Sequence, residues 1–469
     1  SQQLSGILTE VFFAFCGKRG GSWRMADDQR LENRNFLIGV INGALFNAGV
    51  ACLDSNTVIP VFLGHLTDSS VVVGVAASIF PAGLSLTQFF TANTLENQRR
   101  KMPSYALAAV LRVFCIFLLS CCVFWLGDQN RSALLWVFMF TYSLYAIASG
   151  MGMVPFYDIA AKTIPIHRLG SFMAQRWFWG SVLSVGVGWA VSAVLARPAR
   201  FPFPSNFALL FLLGAVMIAI ALAVFIFGIK EPIGETTARK DSFWKYISSA
   251  VKMLSGDPCY SRLVAVRLLA GTSALSLPFL MRYATTVLGL PSQTAGTFLM
   301  VQTLSGMLAS LLWGRLSDRS SNKICVQLVC IAGALAVAMA LMSRLASATS
   351  SSRRLCYSLV FAFVGAYSAG LTLSFDNFLV EIAPGARRPT YVGFMNTLVG
   401  VETVILPLIG GGIVDSVSYS VVFAVSLVFQ ALAAALSLGL ADPRRSERAK
   451  PDNSGCATWS EGVPHGRAH

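Results

Sequence analysis

Apolar stretches, each roughly the 20 residues that a helix needs to cross a bilayer, recur along almost the whole chain and alternate with short polar segments. A helix satisfies its own backbone hydrogen bonds in hydrocarbon, so this pattern predicts an all-α integral membrane protein with twelve transmembrane helices. The predicted spans are 36–62, 70–92, 103–127, 132–156, 172–196, 206–229, 263–287, 293–313, 324–344, 355–379, 391–415 and 419–441.

The composition agrees with a membrane protein, because 55% of the 469 residues are hydrophobic and only 12% are charged. The net charge of +14 does not indicate a nucleic-acid partner, since the basic residues are spread over many short segments. When the segments are assigned to alternate sides, most Lys and Arg residues fall on the side of the N-terminus. The positive-inside rule then predicts a multi-pass protein of the plasma (inner) membrane with both termini cytoplasmic.

The longest polar interval, 231–262, divides the spans into an N-terminal bundle at 36–230 and a C-terminal bundle at 263–441. Residues 1–35 are predicted to be a cytoplasmic N-terminal segment, of which 1–24 reads as an extension upstream of an ordinary start at Met25. The polar residues 442–469 are predicted to form a disordered cytoplasmic tail.

The two bundles carry similar short segments at a shared offset. Phe156-Tyr157-Asp158 in the first half corresponds to Phe375-Asp376-Asn377 in the second, and the segments that begin at Asn93 and Gly314 are displaced by a nearly equal amount. A shared offset between two similar apolar halves is typical of transporters built from internal repeats. We therefore expect two pseudo-symmetric six-helix bundles.

The segment 314–323, called the latch segment below, reads Gly-Arg-Leu-Ser-Asp-Arg-Ser-Ser-Asn-Lys. It resembles the signature of the major facilitator superfamily, Gly-x-Leu-Ala/Ser-Asp-Arg-x-Gly-Arg-Arg/Lys, between spans eight and nine. Ser321 and Asn322 depart from that pattern, and the first-half copy retains only Glu96 as an acidic residue. The resemblance implies a conformational latch on the cytoplasmic side. Its residues would be Gly314 at a tight turn, Arg315, Asp318, Arg319, Lys323 and Glu96.

The same resemblance implies the function: alternating-access transport of a small molecule across a lipid bilayer by a bacterial-type monomer without cofactor. Proton coupling is one option. A non-transporting sensor on the same fold is the alternative. Neither a phosphate-binding Walker loop nor a nucleophile elbow nor a His/Cys metal pattern occurs in the sequence, which disfavours an ATP-driven pump, a metal site and an enzyme.

Ionisable residues inside the spans are candidates for coupling or substrate contact, because a charge in hydrocarbon is costly. Glu402 falls roughly 16 Å into its span at 1.5 Å per residue, near the bilayer midplane, and could carry a coupling proton or serve as a structural residue. Asp54 and Asn56 interrupt the first span. They could line a cavity or cap a broken helix before Pro60.

Other charged residues suggest gates and internal ion pairs. Asp158 and Asp376 end their spans on the cytoplasmic side, and the basic residues Lys162, Arg168, Arg387 and Arg388 follow them closely, so gating ion pairs are favoured over contacts with substrate. Arg112 lies deep in span three, which predicts an acidic partner inside the bundle. Arg267 lies four residues into span seven, which predicts that its side chain reaches the membrane interface.

Overall fold

The computed structural model describes residues 23–95, 98, 100–127, 129–232, 254, 256–344, 350–383 and 388–442. The predicted extension at 1–24 falls almost entirely outside these residues. Most of the linker, the tail beyond Asp442, and the candidates Glu96 and Arg387 also lie outside them.

The regular secondary structure of the described residues is helical. The α-helices are α1 Trp23–Ala51, α2 Val58–Gly64, α3 Ser70–Leu95, α4 Met102–Leu126, α5 Arg131–Thr163, α6 Ile166–Leu195, α7 Ser205–Gly228, α8 Pro258–Gly271, α9 Leu277–Thr286, α10 Thr294–Arg319, α11 Asn322–Met342, α12 Ser350–Ile382, α13 Arg388–Ser416 and α14 Tyr419–Leu438. A 3-10 helix, Thr272–Leu275, lies between α8 and α9. Within this part of the chain, ten segments are long and apolar enough to cross a membrane, so the predicted multi-pass membrane protein is confirmed.

Two of the predicted spans are broken helices. Residues 36–62 were expected to form one helix, but α1 ends at Ala51 and α2 begins at Val58. Residues 263–287 divide in the same way into α8, the 3-10 helix and α9. The breaks occur where hydroxyl, carboxylate and glycine residues replace the apolar pattern, because such residues bond the backbone locally and compete with the helix.

The helices form an N half, residues 23–232, and a C half, residues 256–442. The two halves meet mainly where α3 packs on α13 and where α6 packs on α10. We call one side of the molecule the inner face, and it carries residues 98–102, 163–166, 229–232 and 256–258. The opposite side is the outer face, and it carries residues 64–70, 196–205, 286–294 and 416–419.

The apolar core joins the two halves only towards the outer face. In the largest core cluster, Phe62 and Phe207 of the N half belong with Phe279 and Phe298 of the C half. The C half contributes to this cluster only residues from the outer parts of its helices. Near the inner face the C half has a separate core that includes Tyr260, so the described halves are held together at the outer side.

Glu231, the first acidic residue after α7, fixes the inner end of the N half. Its carboxylate accepts hydrogen bonds from the backbone N–H of Lys101, at 2.7 and 2.9 Å, and of Met102, at 2.8 Å. These amides begin α4 and have no acceptor within their own helix. The same carboxylate lies 3.5 Å from the ammonium of Lys162, which also pairs with Asp158 at 2.5 Å.

We expect Glu231→Gln to lower the stability of the purified protein, because the amide loses the charge that caps α4 and pairs with Lys162. Loss of a helix cap costs about 1 kcal/mol. Thermal unfolding in detergent measures the change. Glu32→Gln removes an acid from the same face without a capping bond, so an equal loss in both variants would contradict this role for Glu231.

Candidate functional site

The break in the seventh predicted span brings Glu402 against a helix end. Glu402 lies on α13, and its carboxylate fills the space beside Gly271, where an added Cβ would overlap Oε2. Oε2 is buried and has no hydrogen-bond partner among the described residues. Gly271 is the C-terminal residue of α8, and the C-terminal end of a helix carries partial negative charge, which disfavours a carboxylate there. The position therefore suits a carboxyl that holds a proton or meets a cation.

The carbonyl groups at this helix end are partly satisfied by the C half itself. Ala270 O accepts a hydrogen bond from the hydroxyl of Tyr367 and another from the amide of Gln430, both at 2.5 Å. The Tyr367 hydroxyl also lies 2.8 Å from the hydroxyl of Ser273. This network orders the end of α8 beside which the Glu402 carboxyl lies.

Arg267 lies four residues before the break, and the prediction that it reaches the membrane interface is wrong. Its guanidinium stands 5.5 Å from the centre of the Phe375 ring, and its Nη1 is buried without a hydrogen-bond partner among the described residues. It interacts electrostatically with both Glu402 and Asp376. The orientation of α8 directs the side chain into the C half, where no carboxylate of the described residues lies within ion-pair distance of it.

In the N half, the described residues include the buried Arg112 and the half-buried Arg176. Arg112 donates to Ala148 O at 3.1 Å and to Ser149 O at 2.7 Å. Arg176 donates to Gly39 O at 2.5 Å and to Asn42 Oδ1 at 2.9 Å.

The prediction that Arg112 has an acidic partner is wrong. No carboxylate of the described chain lies within ion-pair distance of either guanidinium. The carbonyl acceptors of Arg112 lie on α5, next to Gly152, where an added Cβ would overlap Nη2. A helix carbonyl can accept a second bond, so backbone oxygens replace the predicted carboxylate.

Asp54 and Asn56 lie in the break between α1 and α2. The Asp54 carboxylate accepts hydrogen bonds from the backbone N–H of Asn56 at 3.0 Å and from the hydroxyl of Thr57 at 2.7 Å. The next residue, Ser55, lies 3.2 Å from the hydroxyl of Tyr142. Asp54 thus orders the break in the first span by local bonds, as Asp commonly does at a turn.

The predicted gate residues Asp158 and Arg168 lie at the inner face. Asp158 pairs with Lys162, one turn away on α5. Arg168 donates a 2.7 Å hydrogen bond to Asn33 and stands over the Phe36 ring, both within the N half. Of the two basic residues that follow Asp158, Lys162 and not Arg168 is therefore its partner in this conformation. Asp376 interacts electrostatically with Arg267, and both Arg387 and the side chain of Arg388 are outside the described residues.

The latch segment is mostly helical. The prediction of a tight turn at Gly314 is wrong, because Gly314 and the next five residues form the last turns of α10. The chain reverses at Ser320 and Ser321. Ser321 caps α11 by accepting from the backbone N–H of Lys323 at 3.1 Å.

Three of the four charged side chains of the latch segment are exposed. Arg315, Asp318 and Arg319 are exposed, and none of their side chains bonds to another described residue.

At the outer face, by contrast, the two halves are bonded to each other. The Asp415 carboxylate on α13 accepts from the backbone N–H of Ser70 at 2.7 Å and of Val71 at 3.1 Å, and from the hydroxyl of Ser69 at 2.9 Å. Arg282 on α9 donates to Thr67 O at 3.1 Å. Further in, Ser78 donates to Val404 O at 2.7 Å.

The family model of the Major Facilitator Superfamily matches residues 37–378 and 268–465 of this chain. The chain belongs to the major facilitator superfamily. Among curated protein sequences, none matches it significantly.

Solved structures of this superfamily share the fold at low sequence identity. A mutant of the nucleoside transporter NupG is 14% identical to this chain, with a TM-score of 0.67. The alignment covers 87% of this chain and 99% of the NupG chain. A D-xylose-proton symporter is 15% identical with a TM-score of 0.66, covering 87% and 97%.

A bacterial homologue of the iron transporter ferroportin has been solved in two states, and this chain is 16% identical to it. The inward-facing state has a TM-score of 0.63 and covers 88% of this chain and 98% of its own. The outward-facing state with soaked iron has a TM-score of 0.54 and covers 87% and 99%. The fold is therefore that of a major facilitator transporter.

Three functional candidates of this major facilitator protein were missed in the sequence, namely Glu231, Arg282 and Asp415. Glu231 opens the polar linker and reads as a solvent-exposed charge, while Asp415 and Arg282 lie near span ends, where charges are common. Their partners are more than 100 residues away in the chain, so only the packing of the helices reveals them.

Proposed function

We propose that this protein is a secondary active transporter that moves a small molecule across the membrane by alternating access. Its spans would form two pseudo-symmetric six-helix bundles, and broken spans one and seven would lie beside the central cavity. Discontinuous helices at equivalent positions of two repeats mark the substrate and ion sites of many transporters. The breaks at Asp54 and Gly271 support this placement, since their separation is close to the repeat offset.

The observation that carries the proposal is the asymmetry between the two faces. The halves share a core and hydrogen bonds at the outer face, whereas the latch residues at the inner face are exposed. This is the arrangement expected of a carrier open to one side. The positive-inside distribution of Lys and Arg supports a cytoplasmic inner face and cytoplasmic termini, with the protein in the plasma (inner) membrane.

We further propose that Glu402 is the proton-coupling residue and that the latch segment engages only when the inner face closes. Glu402 has a buried oxygen without a hydrogen-bond partner among the described residues, and it lies beside the C-terminal end of α8. Arg267 interacts electrostatically with both Glu402 and Asp376. Protonation would remove its charge and free Arg267 for Asp376 or for substrate. The proton would thereby change the charge of the cavity between the two states.

The test begins with a thermal-shift screen of the purified protein against nucleosides, sugars, amino acids and organic acids. A stabilising compound is then offered to proteoliposomes with and without an inward proton gradient. Accumulation that depends on the gradient and is abolished by a protonophore is the expected result. A compound that binds but never enters the vesicles would favour the sensor alternative.

A further inference from the structure

The two hydrogen-bonded contacts at the outer face are made by the same segment of the N half, residues 67–71. The Asp415 carboxylate on α13 accepts hydrogen bonds from Ser69, Ser70 and Val71. Arg282 on α9 donates a hydrogen bond to Thr67 O. We call these two side chains and the groups of Thr67, Ser69, Ser70 and Val71 that they bind the outer clasp. All of these hydrogen bonds join opposite halves, so the outer clasp can exist only when the outer face is closed.

The chemistry of the outer clasp is that of a helix cap supplied by another part of the chain. Ser70 and Val71 are the first residues of α3, and their N–H groups have no acceptor within the helix. A carboxylate at this position satisfies both groups and also meets the positive end of the helix dipole. When the halves separate at the outer face, α3 loses its cap.

Close packing beside Asp415 keeps the carboxylate in place. Gly411 lies one turn earlier on α13, and an added Cβ there would lie 2.6 Å from Ser70 O and 2.8 Å from the Val71 Cα. The two backbones therefore touch beside the bonded carboxylate. A side chain at position 411 would push the capped helix away.

We propose that Asp415 is a conformational switch residue that holds the outer face closed by capping α3 across the two halves. The proposal rests on the proposed function in one respect, since it assumes that the outer face opens. Asp415 would act at the outer face as Asp318 is expected to act at the inner face, each when its own face is closed. Loss of Asp415 would shift the protein towards the state with an open outer face.

Hydrogen–deuterium exchange of the full chain in nanodiscs tests the outer clasp without a substrate. In Asp415→Ala we expect the outer-open population to rise about tenfold, as loss of a strong cap allows. Exchange should increase at 64–72 and also at 286–294 in the other half, and should decrease at the inner segments 98–102 and 163–166. Asp415→Asn, which keeps the shape and one acceptor oxygen, should give a smaller change in the same direction.

Asp68→Asn is the matched control, because Asp68 is an exposed acid of the same loop and bonds to no described residue. An increase confined to 69–72 would mean a local cap without control of the two states, and would overturn the proposal. An equal effect of Asp68→Asn, or no effect of either Asp415 variant, would overturn it as well. Failure of transport assays would leave this result intact, so the two proposals fail separately.

Discussion

We expect the Glu402→Gln protein to lose uptake driven by a proton gradient while it retains counterflow of the same compound. Glutamine fits beside Gly271 but cannot bind or release a proton, so the return step that carries the proton is blocked. Counterflow exchanges substrate for substrate and does not require that step. Uptake and counterflow are measured in the same batch of proteoliposomes, with uptake falling to the level of empty vesicles.

Glu402→Asp is the control for this prediction, because it keeps a carboxyl group at the helix end and should restore part of the gradient-driven uptake. Gly271→Ala should resemble Glu402→Gln, since an added Cβ would occupy the space of the carboxylate. If Glu402→Gln kept full uptake with the same pH dependence, Glu402 would not be the coupling residue.

The second large effect is expected from Gly411→Ala at the contact between α3 and α13. The added Cβ would lie against the backbone of Ser70, and backbone cannot move aside as a flexible side chain does. Overpacking of this kind costs about 1–3 kcal/mol and here falls on the outer-closed state alone. Uptake should therefore fall about tenfold or more, measured as the initial rate per molecule reconstituted.

The neighbouring residue provides a matched control. Gly412 lies on the same helix, and a Cβ added there meets nothing within 4 Å. Gly412→Ala should therefore transport at the rate of the unaltered protein. Equal losses in both variants would indicate a general effect on α13 and would contradict the close approach at Gly411 as the cause.

The approximate limits of most membrane-spanning helices follow from the sequence because bilayer thickness fixes the length of an apolar helix. The match is close for Ser205–Gly228, predicted at 206–229. The break at Asp54 was one of two interpretations of a polar interruption. The break at Gly271 was not foreseen, because Thr272, Ser273 and Ser276 are common inside membrane helices and carry no sign of a 3-10 turn.

The environment of charged residues was harder to predict than their depth. Arg267 and Arg112 were placed correctly in their spans, but the rotation of each helix decides what a side chain meets. Arg267 turns towards Phe375, and Arg112 finds two carbonyl groups in place of a carboxylate. Asp415 shows the same limit at long range, since its partner Ser70 is 345 residues away.

Counterflow with the unaltered protein tests the central claim, alternating access, most directly. Proteoliposomes loaded with an excess of the stabilising compound and diluted into a trace of its radiolabelled form should accumulate label transiently above the equilibrium level. This overshoot requires one site that is exposed to each side in turn. Label that binds to the protein but equilibrates without an overshoot, at the rate of empty vesicles, would contradict alternating access.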